Sequence, residues 1–195
     1  MDHMNRNTAA GYSTVAVLLH WLIAFLILGQ LAGGIVMVNL SDAAISLKFQ
    51  IYQWHKSFGV TILFLSLLRL AWRLTHRVPP LPDGMAWYER LGARISHVGF
   101  YVLMLVVPLV GWTVVSASPY AASVPTFLFG VIPWPHLPFF ENVADRELIA
   151  GRFAEIHKIL AFATLGLFVL HVGAALKHHF INKDGVLARM LPFLG

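Results

Sequence analysis

The chain has 195 residues, of which 58% are hydrophobic and 12% charged, against about 25% charged in a typical soluble domain. That balance excludes an ordinary soluble globule and places the chain in the membrane class. The absence of cysteine excludes disulfides, thiolate metal sites, iron–sulfur clusters and covalent haem attachment, and the formal charge of +5 reads as basic residues at a membrane face rather than a nucleic-acid surface.

About 20 apolar residues cross a hydrocarbon core of roughly 30 Å, and four stretches qualify. The first, roughly 14–40, has no charge between Arg6 and Asp42. It is too long for the apolar part of a cleavable signal, about 7–15 residues, and is expected to stay in the membrane. The second, roughly 53–74, is interrupted by Lys56 near its start and Arg69 near its end. The third, roughly 91–115, contains Pro108 and Gly111 and is expected to bend there. Residues 116–153 are long for a connection. Prolines at 119, 125, 133, 135 and 138, with Trp134, Phe127, Phe139 and Phe140 among them, suggest a cap folded back at the interface. The fourth stretch is roughly 155–178. The expected fold is all-α, an integral membrane four-helix bundle, in one transmembrane domain spanning 1–195 without internal repeats.

Loop charge sets the direction. Arg73, Arg77, Arg90 and Arg94 outweigh Asp83 and Glu89 between the second and third spans, and Lys177, Lys183 and Arg189 outweigh Asp184 in the tail. The connection between the third and fourth spans holds Glu141, Asp145, Glu147 and Glu155 against Arg146 and Arg152. By the positive-inside rule both termini and the second loop are expected to be cytoplasmic.

Ten histidines are present, and His20, His55, His157 and His171 fall within the spans or just inside their ends. Ionisable groups at membrane depth are costly and usually functional. One such histidine is equally well a core residue with a satisfied hydrogen bond; four in two layers are harder to explain that way. His171 follows His157 by fourteen residues, close to four whole turns and about 21 Å along the axis, so one helix presents two imidazoles on one face at two depths. His55 then meets His157 in an outer layer and His20 meets His171 in an inner one. Opposed imidazoles across a flat apolar space fit the two axial positions of haem iron. Zinc prefers four ligands, or three and a water, and no acidic residue lies in the apolar core.

Arg69 follows His55 by fourteen residues, at the depth of the inner layer. It either pairs with haem propionates or is a snorkelling anchor. Gly59 near His55, Gly166 and Gly173 around His171, and Gly29, Gly33 and Gly34 on the first span either admit a flat ligand or serve ordinary helix packing.

The motifs that carry these residues are LLHW with His20, WHKSFG with His55, LLRLAWRL with Arg69 and Arg73, ISHVGFYVLM with His97, EIHK with His157, and LHVGAALKHHFINKDGVLARML with His171, His178 and His179. In this order and spacing the chain resembles the bacterial cytochrome b561 family over nearly its whole length. The resemblance implies a bacterial inner-membrane protein with two haem b groups ligated by His20, His55, His157 and His171. Some members of that family are superoxide oxidases, passing electrons from periplasmic superoxide to ubiquinone. By that likeness His178, and with it His97, is expected near a quinone; the alternative for Lys177, His178 and His179 is a cationic helix end at the lipid headgroups.

The leading functional expectation is a di-haem electron carrier between the quinone pool and a periplasmic redox partner. Superoxide is one such partner, drawn by Lys56 or Lys158, which otherwise are solvated helix-start lysines. Whether the chain is an enzyme of that oxidoreductase type or a carrier stays open. The alternatives are a cytochrome b membrane subunit of a larger dehydrogenase or hydrogenase, and, from another class, a metal or proton transporter using the histidines directly.

Overall fold

In the computed structural model, residues 11–82 and 84–191 are described; the first ten residues, Asp83 and residues 192–195 lie outside the described residues, so Arg6 and Asp83 of the charge pattern are not placed. Four helices are long and apolar enough to cross a membrane: α1 Thr14–Asn39, α2 Ile45–Thr75, α3 Trp87–Ala117 and α4 Arg146–Lys177. The bundle reads as expected, all-α and membrane-spanning. Its outer surface is apolar, with Leu18, Phe25, Phe162 and Leu170 all more than half exposed. In water such a surface would aggregate; against lipid it is the matched solvent.

Consecutive helices pack on one another, α3 on α4 most extensively. They alternate in direction, because the beginning of α1 meets the end of α2 at His20 and Arg69. The end of α3 meets the beginning of α4 at Gly111 and His157. Ser13 caps α1, its hydroxyl accepting from the Ala16 N–H at 3.3 Å. The same hydroxyl accepts from the Trp72 indole at 3.0 Å, which ties the start of α1 to the end of α2.

Two helices begin well before their apolar runs. α2 starts at Ile45 rather than near 53, and α4 at Arg146 rather than near 155. Hydropathy marks the stretch that suits lipid, whereas Lys48, Gln50 and Gln53 are good helix formers that lower hydropathy without ending the helix. Lys48 also reaches the Leu40 carbonyl and the Asp42 carboxylate, each at 3.3 Å, and so fixes the turn between α1 and α2. At the start of α4 the Arg146 guanidinium donates to the carbonyls of Ser116 at 2.8 Å and Ala117 at 3.4 Å. These are among the last carbonyls of α3, which lack partners inside the helix.

Residues 118–145 form a cap over that end of the bundle. It contains a small antiparallel hairpin, β1 Thr126–Leu128 and β2 Ile132–Trp134, which the sequence did not suggest. Its turn places both Phe129 (φ 54°) and Gly130 (φ 75°) in the left-handed region, a conformation that costs glycine little and phenylalanine more. Two buried helix serines pin the cap. Ser57 accepts from the Phe129 N–H at 2.9 Å and donates to the Gln53 carbonyl at 2.8 Å. Ser116 accepts from the Leu137 N–H at 2.9 Å and donates to the Trp112 carbonyl at 2.8 Å. Trp112 adds a bond from its indole to the Pro135 carbonyl at 2.9 Å.

Candidate functional site

The helices bring the four intramembrane histidines together in two pairs. At the capped end, His55 of α2 and His157 of α4 have ring centres 6.1 Å apart. At the opposite end, His20 of α1 and His171 of α4 have ring centres 6.2 Å apart. An imidazole–metal bond is about 2 Å, and the ring centre lies about 1 Å behind the bonding nitrogen. Two imidazoles sharing one ion from opposite sides therefore have centres about 6 Å apart. Among the described residues no group of three or more His, Cys, Asp or Glu side chains could hold a metal. Each pair offers two nitrogens and leaves the equatorial positions to something other than side chains of this kind.

The capped-end pair is held from behind. His157 donates from Nδ1 to the Val107 carbonyl at 3.0 Å, so its Nε2 carries the free lone pair, the usual arrangement behind a ligating histidine. This contact needs Gly111, where a Cβ would lie 3.0 Å from Cε1 and 3.2 Å from Nδ1 of His157. Gly34 does a looser service for His55, its absent Cβ falling 3.5 Å from Cε1. Gln30 donates to the His55 carbonyl at 2.8 Å and lies over Gly59. The His55 Nδ1 is buried without a hydrogen-bond partner among the described residues. Of the other glycines singled out in the sequence, Gly29, Gly33, Gly166 and Gly173 have nothing close to the position of a Cβ.

The second pair has a different surround. Arg69 reaches inward and places Nη1 3.0 Å from Nδ1 of His20. A guanidinium only donates, so this imidazole nitrogen accepts. His97 and Phe100 of α3 pack edge-on against His171, with ring centres 5.8 Å and 5.3 Å away. Thr164, midway between the two α4 histidines, is buried and turns its hydroxyl back to the Leu160 carbonyl at 2.8 Å. His178 lies beyond the pair, in a π turn at His178–Asn182. It is buried, with Nδ1 2.5 Å from the Asp184 carboxylate and 3.1 Å from the Asn182 amide. Next to it Lys177 is ion-paired with Glu89 of α3. Of the two lysines near the capped-end pair, Lys158 is exposed and paired with Glu155. Lys56 is half-buried under the hairpin, donating to the Thr126 hydroxyl at 3.3 Å.

The sequence marks the four histidines and Arg69 as candidates but not the groups that hold them. From sequence Gly111 reads as part of a bend, and Val107 acts through its main chain, which has no sequence signature. Asp184 reads only as charge in the tail.

The prokaryotic cytochrome b561 family model matches residues 11–193. The chain is 33% identical over 186 residues to cytochrome b561 homolog 2 of Escherichia coli K12, covering 95% of this chain and 93% of the relative. It is 29% identical over 182 residues to the probable superoxide oxidase CybB of Yersinia pestis, covering 93% and 96% of the two chains. Cytochrome b562 of Cereibacter sphaeroides is 25% identical over 184 residues, covering 93% and 95%. A match of this extent, on a bundle with paired intramembrane histidines, means that the chain belongs to the prokaryotic cytochrome b561 family of haem b membrane electron-transfer proteins.

Proposed function

We propose that the chain holds two haems, one between His20 and His171 and one between His55 and His157, and carries electrons between the quinone pool and a redox partner outside the bacterial inner membrane. The observation that supports this best is the pair of ring separations, 6.2 Å and 6.1 Å, at two depths of one bundle. With the positive-inside rule the His20–His171 layer is cytoplasmic, as are both termini, and the capped end faces the periplasm.

Haem would supply a one-electron couple at its iron. The chain's residues do the rest. A haem held by both histidines of a pair would be suited to electron transfer rather than to oxygen binding. The Val107 carbonyl fixes the His157 tautomer and raises its basicity. Arg69, at the cytoplasmic layer, is placed to offset propionate charge. A quinone near this layer would have His97 beside the histidine pair and the His178–Asp184 couple two turns further on. Such a couple can carry the protons that accompany quinone reduction.

Superoxide is the partner suggested by the name of the Yersinia relative. It would give up one electron and leave as dioxygen. Lys56, half-buried beside the capped-end layer, is the cation that supports this reading; the exposed, ion-paired Lys158 lends it little.

A reduced-minus-oxidised optical spectrum with a haem determination on the purified protein tests the proposal. Sharp α-band absorption and two haems per chain are expected. A colourless protein would instead support the transporter reading, and one haem would contradict the two-layer assignment.

A further inference from the structure

One cluster of cationic and phenolic side chains extends beyond the roles given so far to Arg69 and His97. Between the end of α2 and the start of α3 lies a cavity of about 250 Å³ lined by Tyr12, Arg73, Arg94, His97 and Tyr101, with Val78 and Pro79 at its rim. A smaller recess adjoins it, sharing Tyr12, Arg73, Val78 and Tyr101 and adding Arg69 and Trp72. The two share four lining residues and read as one crevice, which reaches the cytoplasmic-layer pair through Arg69 and His97. Arg69 bonds to His20, and the His97 ring centre is 5.8 Å from that of His171. Among the described residues no acidic side chain lines it. Arg69 and Arg73, one turn apart on α2, bring their guanidinium carbons 5.9 Å and 5.8 Å from the centre of the Tyr101 ring. Neither has an ion-pair partner among the described residues.

Two guanidinium groups held this close at a membrane boundary repel one another and call for anionic oxygen. The hydrogen bond to His20 sharpens the point. An imidazole bonded to a metal through Nε2 carries its proton on Nδ1 and no longer accepts from Arg69. The guanidinium then keeps only the neutral Tyr101 phenol beside it, and the crevice it lines is where an anionic acceptor fits.

We propose that this crevice is a seat for two carboxylates, the propionates of the porphyrin held by His20 and His171, with Arg69 and Arg73 as the principal donors and Arg94 at the cytoplasmic rim. The inference rests on the two-haem reading above and adds the residues that fix the orientation of one porphyrin. It also gives that haem a pair of guanidinium groups, where the capped-end layer has Lys56 nearby.

The test uses the full-length holoprotein, its R73Q and R73K variants, and haem dimethyl ester, in which both carboxylates are blocked. Positive charge beside a propionate favours the reduced iron. In R73Q the midpoint potential of one of the two haems should fall and the other stay unchanged, with R73K recovering most of the loss. In protein produced without haem and supplied with the ester, one of the two sites should load more weakly by about tenfold or more, since bonds to charged acceptors are lost. The ester loading of the wild type tests the seat even if R73Q does not fold. Two haems with unchanged potentials in R73Q would overturn the proposal, as would ester loading as firm as that of haem at both sites. A tightly held phospholipid lost from R73Q at unchanged potentials would assign the crevice to a phosphate and overturn it too. A wild type without two haems would sink the underlying reading instead.

Discussion

Gly111 of α3 and His157 of α4 are in contact across the capped end of the bundle, with the imidazole occupying the space of a side chain that glycine lacks. A Cβ there would stand 3.0 Å from the ring, and the ring sits where its Nδ1 reaches the Val107 carbonyl. Backbone on one side and ring on the other leave no flexible atom to yield.

The first prediction follows from that contact. Gly111→Ala should push His157 off the Val107 carbonyl, at a cost of about 1–3 kcal/mol as for other overpacked sites. Haem retention at the capped-end layer should weaken by roughly tenfold or more, and the cytoplasmic layer should keep its haem. Haem-to-protein ratios after washing with an apohaem-binding competitor would show this. A variant that retains both haems as firmly as wild type would mean the ring has room to move.

The cap should depend on its two serines. Ser57→Ala leaves the Phe129 N–H without its acceptor, and Ser116→Ala does the same to the Leu137 N–H. Each loss should cost about 1–3 kcal/mol, felt mainly as opening of residues 118–145. Limited proteolysis should cut that segment faster in each variant, and faster again in the double variant. Unchanged cleavage in both would show that the aromatic contacts among Trp112, Trp134 and Phe64 hold the cap without them.

These contacts bear on what the sequence could and could not reveal. The four spans were legible because twenty apolar residues in a row have few other uses, and the histidine pairs because fourteen residues return a helix to the same face. The true starts of α2 and α4 were hidden, since Lys48 and Arg146 are polar yet continue or cap helices. The hairpin was hidden because its strands have three residues each, too short for periodicity, and because Phe129 adopts a left-handed conformation its side chain does not advertise. Main-chain partners such as the Val107 carbonyl appear only once the helices are packed.

Acidity should loosen the cap through His136. Both of its ring nitrogens are buried without hydrogen-bond partners among the described residues. Burial first, and the nearby charge of Lys56 second, hold its pKa below the ordinary 6.5, with Arg146 adding to the repulsion; the main chain at Val124 and Ala121, near the ring but outside hydrogen-bond geometry, offsets this only in part. The unfolded segment therefore binds the proton more readily than the folded one. Stability is intact above about pH 6.5 and is lost as pH falls from there toward the depressed value. Proteolysis of residues 118–145 should accelerate as pH falls below about 6.5 in wild type, and much less in His136→Gln. Equal acceleration in both would assign the effect to another group.

The central claim is that imidazoles ligate in two independent layers, and counting haem in single-histidine variants tests it most directly. His20→Ala and His171→Ala should each lose one haem and leave the same remaining spectrum. His55→Ala and His157→Ala should each lose the other haem, leaving the complementary spectrum. Loss of both haems from any single substitution, or spectra grouping His20 with His55 or with His157, would contradict the pairing and with it the path proposed for electrons through this bundle.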